Sequence, residues 1–306
     1  METRRIGALE VSVVGLGCNN FGGRLDAAAT ARVVHAALDA GINFLDTADV
    51  YGGTLSEEYM GQALKDRRHQ AVLATKFGMK VDEQHQGAKP DYVHRALDAS
   101  LRRLRTDHID LYQLHQPDPT VPIADTLGAL DEAVKAGKVR EIGCSNFSAQ
   151  QLREAEDAVK GDAARFVSVQ NEYSLLQRAP EAEVLPECER LGLAFLPYFP
   201  LASGLLTGKY RRGQAAPEGA RIQAGGRFDD LLAEDRLEVV EALIAFAEAR
   251  RHTLLELAIC WLLARREVAS VIAGATSPEQ VRANAQAARW QLTPAELAEI
   301  DDLVPG

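Results

Sequence analysis

Short apolar runs recur along this chain at a nearly regular interval, and that repeat narrows its possible folds more than any other feature. The runs cover residues 13–17, 42–46, 72–76, 109–115, 139–144, 166–170, 193–197 and 268–273. The first seven are nearly evenly spaced, close to the roughly 30 residues of a strand–helix unit. The eighth follows a gap more than twice as long. The runs are apolar on both faces, as strands covered on both sides must be. Amphipathic segments lie between them. Residues 28–40, 123–136 and 181–191 stop at Gly41, Gly137 and Gly192, glycines suited to a helix C-terminus. Ser148 opens a helix over 149–159, and Ser56 opens another with Glu57 and Glu58 in its first turn. Further helical patterns cover 92–104, 235–250, 254–264 and 294–303.

A strand–helix unit of this length returns the chain parallel to its predecessor by a right-handed crossover. Eight such units predict an α/β fold, a (β/α)8 TIM barrel formed as a single domain by residues 1–306. The long gap before strand 8 holds an extra helical insertion. An open doubly wound sheet would need a glycine fingerprint in the first βα turn. That turn has Gly15 and Gly17, but Asn20 stands at the third glycine position. Residues 4–14, with Gly7 in the turn, predict an N-terminal β-hairpin that plugs the barrel bottom.

The 34 basic and 44 acidic residues leave a net charge of -10. That argues against a nucleic-acid or other global phosphate-binding surface, though a local basic patch is compatible with it. No apolar run reaches the roughly 18 residues of a membrane span, and the N-terminus carries no signal-peptide pattern. Cys18, Cys144, Cys188 and Cys260 are widely separated. They predict free thiols in a reducing cytoplasm rather than a zinc knuckle or a disulfide framework. The seven histidines show no metal-ligand spacing, so no metal is expected. An acidic surface suits a soluble monomer.

Barrel chemistry sits at the C-terminal ends of the strands. There the second strand ends in Asp46, the third in Lys76 and the fourth in His115. The fifth ends in Ser145 and Asn146, the sixth in Gln170 and Asn171, and the seventh in Tyr198. An ammonium at the depth of Lys76 is costly without a carboxylate, and Asp46 is its natural partner. Tyr51 lies shortly after Asp46, so the βα loop can fold it over the barrel mouth. A phenol beside a buried ammonium should have a lowered pKa, which suits a general acid.

With these residues in place, the chain resembles the aldo-keto reductases. The likeness runs through FLDTADVYG (44–52), TKFG (75–78), LHQPD (114–118), GCSNFS (143–148), VQNEYSLL (169–176), PLASGLLTGKY (200–210) and GATSPEQVRAN (274–284). It implies a nicotinamide cofactor lying across the barrel mouth and reduction of an aldehyde or ketone. Tyr51 would donate the proton, Lys76 held by Asp46 would lower the tyrosine pKa, and His115 would orient the carbonyl. Ser145, Asn146 and Gln170 would hold the carboxamide, and Tyr198 would stack on the ring. Leu201, Ser203 and Gly204 would wrap the pyrophosphate, with Lys209 nearby. Gly274, Ser277, Gln280 and Asn284 match the adenosine end, where Ser277 can cap a helix starting at Pro278.

Many family members place Lys or Arg at the positions of Gly274 and Gln280 to hold a 2'-phosphate. Neither is basic here, a pattern shared with relatives resembling potassium-channel β subunits, which use a basic residue in the long loop instead. That loop carries Lys209, Arg211, Arg212, Arg221 and Arg227 against Glu218. Arg221 is the candidate, and NADPH rather than NADH the expected cofactor. The short stretch after the last helix predicts an open pocket for small-molecule carbonyls, lined by Phe21, Tyr51, Phe77, His115 and Phe199. Two other readings keep the barrel: a Schiff-base aldolase using Lys76, and a cofactor-sensing regulatory or binding protein.

Overall fold

The computed structural model describes residues 1–217, 221–222 and 229–304. Strands β1 (Thr3–Ile6) and β2 (Leu9–Ser12) form the antiparallel hairpin, and Gly7 lies in its turn. Its positive φ of 55° suits glycine, and a Cβ there would fall 2.6 Å from Glu141 Oε1.

Among the described residues, eight parallel strands then follow in order around a barrel. They are β3 (Val14–Gly17), β4 (Phe44–Asp46), β5 (Val72–Phe77), β6 (Ile109–Leu114), β7 (Val139–Ser145), β8 (Phe166–Glu172), β9 (Ala194–Tyr198) and β10 (Val271–Gly274). β10 pairs with β3. The last seam closes just below β10, where Phe195 N donates to Glu267 O at 2.7 Å and Ala269 N donates to Phe195 O at 3.1 Å. The predicted TIM barrel is the fold of this chain.

Six helices cover the first six strand connections: α1 (Ala27–Asp39), α2 (Leu55–Ala63), α3 (Pro90–Leu104), α4 (Ile123–Lys135), α5 (Ala149–Ala158) and α6 (Val184–Leu191). Two helices, α7 (Glu234–Ala249) and α8 (Leu254–Leu263), fill the long gap before β10, and α9 (Pro278–Gln286) and α10 (Pro294–Leu303) follow it. α8 packs on the barrel beside α9, whereas α7 packs outside against α8 and α10. Ser148, Thr253 and Thr293 each close a capping box.

Two helix starts differ from expectation. α2 begins at Leu55, and Ser56 does not cap it. The Ser56 hydroxyl instead turns inward, donating to Cys18 O at 3.1 Å and sharing a 2.8 Å bond with Thr47 Oγ1. α6 begins at Val184, after a separate 3-10 turn at Ala179–Glu181 in which Glu181 pairs with Arg178 and accepts from the Tyr173 hydroxyl.

Period-2 alternation sorts the strand residues into two apolar layers. The larger lies between strands and helices. The smaller fills the barrel interior, where Phe44, Ala74, Leu111, Ala194, Leu196, Ala269 and Ile272 meet Ile6, Leu9 and Val11 of the hairpin. Arg4 locks the hairpin in place through Val268 O at 2.6 Å and Leu263 O at 2.8 Å. The bottom is therefore plugged as expected, and the upper interior is polar.

Candidate active site

In that upper interior, the strand ends bring Asp46, Lys76, Gln113 and Gln170 together, all essentially shielded from solvent. Lys76 Nζ lies 2.6 Å from Asp46 Oδ2, 2.9 Å from Thr47 O and 3.5 Å from Tyr51 Oη. Burial, the largest influence, would lower the pKa of this ammonium, but Asp46 and Tyr51 together outweigh it and hold Lys76 above the ordinary lysine value.

Tyr51 is carried by the loop between β4 and α2, and that loop is fixed at several points. Asp49 N donates to Lys76 O at 3.0 Å. Gly52, at φ +59°, approaches so closely that a Cβ would sit 2.4 Å from Phe21 O. At the far end, Glu57 is fully buried, accepting 2.6 Å bonds from Thr75 Oγ1 and Arg103 Nε. The Tyr51 ring meets the His115 ring edge-on, with centroids 5.8 Å apart.

Tyr51 does not show the expected fall in pKa. Burial pushes the phenol up, Lys76 pulls it back, and the net position is above the ordinary tyrosine value. The phenol therefore carries its proton at neutral pH. His115 is driven the other way, down to about 3, by burial and by the charge of Lys76. It is a neutral imidazole, and its Nδ1 is buried with no partner among the described residues.

Beyond this centre, Ser145 Oγ donates to Gln170 O at 2.7 Å, and Asn146 Nδ2 donates to His115 O at 2.9 Å. Asn146 has a left-handed backbone, φ 62°, which asparagine tolerates. The Tyr198 hydroxyl donates to Asn146 Oδ1 at 2.9 Å. Asn171 Nδ2 donates to Phe147 O, and its buried Oδ1 has no partner among the described residues.

After β9 the chain turns through left-handed Ala202, Ser203 and Gly204, with φ of 44°, 57° and 102°. Leu201 and Ser203 are buried, and a Cβ on Gly204 would lie 3.1 Å from Lys209 Nζ. Burial lowers the pKa of Lys209, and nearby Arg24 and Arg221 lower it further. Three cations therefore converge at this turn. Arg211 and Arg212 point elsewhere, to Glu241 and Glu234 of α7. Arg227 and Glu218 lie outside the described residues.

At the end of β10, Gly274 is exposed. Ser277 caps α9 by accepting from Gln280 N, and Asn284 is buried. The Gln280 side chain folds back, its Oε1 accepting from Thr276 N at 2.8 Å.

Two of the expected pocket aromatics are elsewhere. Phe77 is fully buried and stacks on Tyr112 at 4.7 Å in the strand–helix layer, because alternation places it opposite Lys76. Phe21 is also fully buried in that layer. Phe199 does lie at the rim, with the Arg221 guanidinium 5.3 Å from its ring centroid.

Sequence reading missed three contributors. Gln113 Nε2 donates to Asp46 Oδ1 at 3.1 Å. Its signal was alternation, since it shares a strand face with His115. Thr47 contributes only its carbonyl, which no side-chain pattern reveals. Arg24, in the first βα loop and far from Lys209 in sequence, adds its positive charge to the surroundings of Lys209.

The upper barrel thus offers a buried ammonium, a protonated phenol and a neutral imidazole side by side. Next to them are orphaned polar atoms and a cationic turn suited to an anionic ligand. Similar proteins match this chain over nearly its whole length. "Uncharacterized oxidoreductase YrpG" of Bacillus subtilis is 34% identical, matching 97% of this chain and 94% of its own length. "Aldo-keto reductase yakc [NADP(+)]" of Schizosaccharomyces pombe is 35% identical, with 98% and 90% covered. Among solved structures, a glycerol dehydrogenase of Gluconobacter oxydans superposes with a TM-score of 0.84 at 31% identity, covering 98% of this chain and 94% of that one. An aldo-keto reductase of Bacillus halodurans in its holo form gives 0.81 at 34% identity, with 99% and 96% covered. The family model for the aldo/keto reductases matches residues 13–305, and the chain belongs to that family of carbonyl oxidoreductases.

Proposed function

We propose that this protein is an NADPH-dependent reductase of small aldehydes and ketones in which Tyr51 is the general acid. The observation that carries the reading is the placement of Lys76 Nζ. It is fully buried, held by Asp46 and Thr47, and within 3.5 Å of the Tyr51 hydroxyl. As negative charge develops on a carbonyl oxygen, Tyr51 gives up its proton, and Lys76 stabilises the phenolate that remains. His115, neutral and facing Tyr51, hydrogen-bonds the same oxygen and orients it. A neutral donor suits this role because it adds no second cation beside Lys76.

The residues present fit a nicotinamide dinucleotide. Ser145, Asn146 and Gln170 would hold its carboxamide beside the orphaned polar atoms of His115 and Asn171. Tyr198 would face the ring. The turn at Leu201, Ser203 and Gly204, with Lys209, would take the pyrophosphate. Gly274, Ser277, Gln280 and Asn284 would flank the adenosine, and Arg221 the 2'-phosphate. The bound cofactor would supply the hydride. The aldolase reading is opposed by Lys76 itself. An imine needs the free amine, and Asp46 keeps this one protonated.

The test is separate titration of NADPH and NADH against tryptophan fluorescence, followed by a small aldehyde panel read at the nicotinamide band. Tight NADPH binding with aldehyde-dependent oxidation is expected. Binding without turnover would favour a sensor, and no binding of either nucleotide would overturn the reading.

A further inference from the structure

Asp46 has two oxygens, and they are used differently. Oδ2 receives Lys76 at 2.6 Å, whereas Oδ1 receives two amides, Gln113 Nε2 at 3.1 Å and Gln170 Nε2 at 3.0 Å. The Gln170 amide also lies 3.4 Å from Gln113 Oε1, so the two amides brace each other. Gln113 is fully buried, and β5–β6 pairing sets it directly beside Lys76. Polar amides at this depth are costly unless bonded. Just below, the barrel interior is filled by apolar side chains such as Ala74 and Leu111. Filling space would therefore not require a glutamine.

Building on the assignment of Tyr51 as the acid, we propose that Gln113 is a positioning residue of the proton-donating group. Together with Gln170 it draws the Asp46 charge toward Oδ1, and so sets how much of the Lys76 charge reaches Tyr51. Donors to a carboxylate stabilise its charged form. Without Gln113, the charge returns to Oδ2. Lys76 is then drawn harder to Asp46 or passes its proton to it. In either case Tyr51 feels less positive charge and becomes a weaker acid.

The other titratable groups around the Asp46–Lys76 pair cannot compensate. Cys18, from the end of β3, is a thiol pushed well up by burial, and His115, from the end of β6, is neutral. Asp49, on the Tyr51 loop, is pushed up to about 7 by burial and by Glu57 of α2, with Arg103 of α3 opposing.

Gln113→Met keeps the length and removes the donor. It is expected to fold, to bind NADPH within about twofold of the parent, and to lose roughly tenfold in kcat for carbonyl reduction. The Tyr51 titration midpoint should rise by about one pH unit. It is read by carbon NMR of labelled tyrosine in the cofactor-free protein, with Tyr51→Phe assigning the resonance. If Gln113→Met does not fold, Gln113→Leu carries the same expectations. An unmoved midpoint with unchanged kcat, while Tyr51→Phe is inactive, overturns the role of Gln113 alone. Full turnover in Tyr51→Phe overturns the acid assignment instead, and with it this inference.

Discussion

Lys76→Met removes the cation at the centre of the site while roughly keeping its volume. The parent ammonium is fully buried and bonded to Asp46, Thr47 O and Tyr51. Its loss leaves the Asp46 carboxylate buried with Gln113 and Gln170 as its side-chain donors among the described residues. Breaking a buried ion pair from one side costs about 3–5 kcal/mol. The unfolding entropy of a chain of 306 residues, at about 2.1 cal/mol/K per residue, is about 0.6 kcal/mol/K. The melting temperature should therefore fall by about 5–8 °C. Adding Asp46→Asn removes the stranded charge yet keeps an oxygen for the two glutamine amides. The double variant should recover at least half of the loss, and carbonyl reduction should be absent in both. Differential scanning calorimetry on the parent, the two single variants and the double variant measures the cycle. An unchanged melting temperature in Lys76→Met, or a double variant destabilised by the sum of the single effects, would refute the reasoning.

Asp49, held protonated up to about pH 7 by burial and Glu57, should make stability depend on pH. The folded chain keeps a proton that the unfolded chain releases near pH 4. The resulting stabilisation falls as pH rises between about 4 and 7 and is lost above that window, roughly 4 kcal/mol at the limit. Asp49→Asn should flatten that dependence in urea melts and make the protein more stable at pH 8; parallel curves for parent and variant would contradict it. Arg221→Ala should weaken NADPH binding about tenfold or more and leave NADH within about twofold, as expected for a lost charge-assisted phosphate contact. Lys209→Ala should weaken both nucleotides. Fluorescence titrations at two salt concentrations check this, and equal losses for both nucleotides in Arg221→Ala would remove it from the 2'-phosphate.

Much of the framework was legible because barrels impose two simple periods. Evenly spaced apolar runs marked the strands, and their polar last residues marked the upper interior. Asp46, Lys76, Ser145 and Gln170 come together there because each lies at or near the C-terminal end of a parallel strand at one rim. The misreadings have physical causes. Phe77 is not a pocket residue because it neighbours Lys76 on one strand, and adjacent strand residues face opposite layers. Ser56 and Glu57 fit a helix start, yet burial turned them into bonds to Thr47 and Thr75. Counting charges in the long loop overstated the basic patch, because Arg211 and Arg212 meet acids of α7 well beyond that stretch of sequence. The Tyr51 shift had the expected Lys76 contribution, but sequence carries no measure of how strongly burial opposes it.

The central claim is that Tyr51 supplies the proton, and Tyr51→Phe tests it most directly. NADPH affinity and single-turnover reduction of an aldehyde accepted by the parent should be measured on parent and variant together. Affinity should stay within about twofold, while the reduction rate should fall by roughly 10²–10⁴, the range for a lost general acid. Reduction at the parent rate with intact NADPH binding would contradict the account.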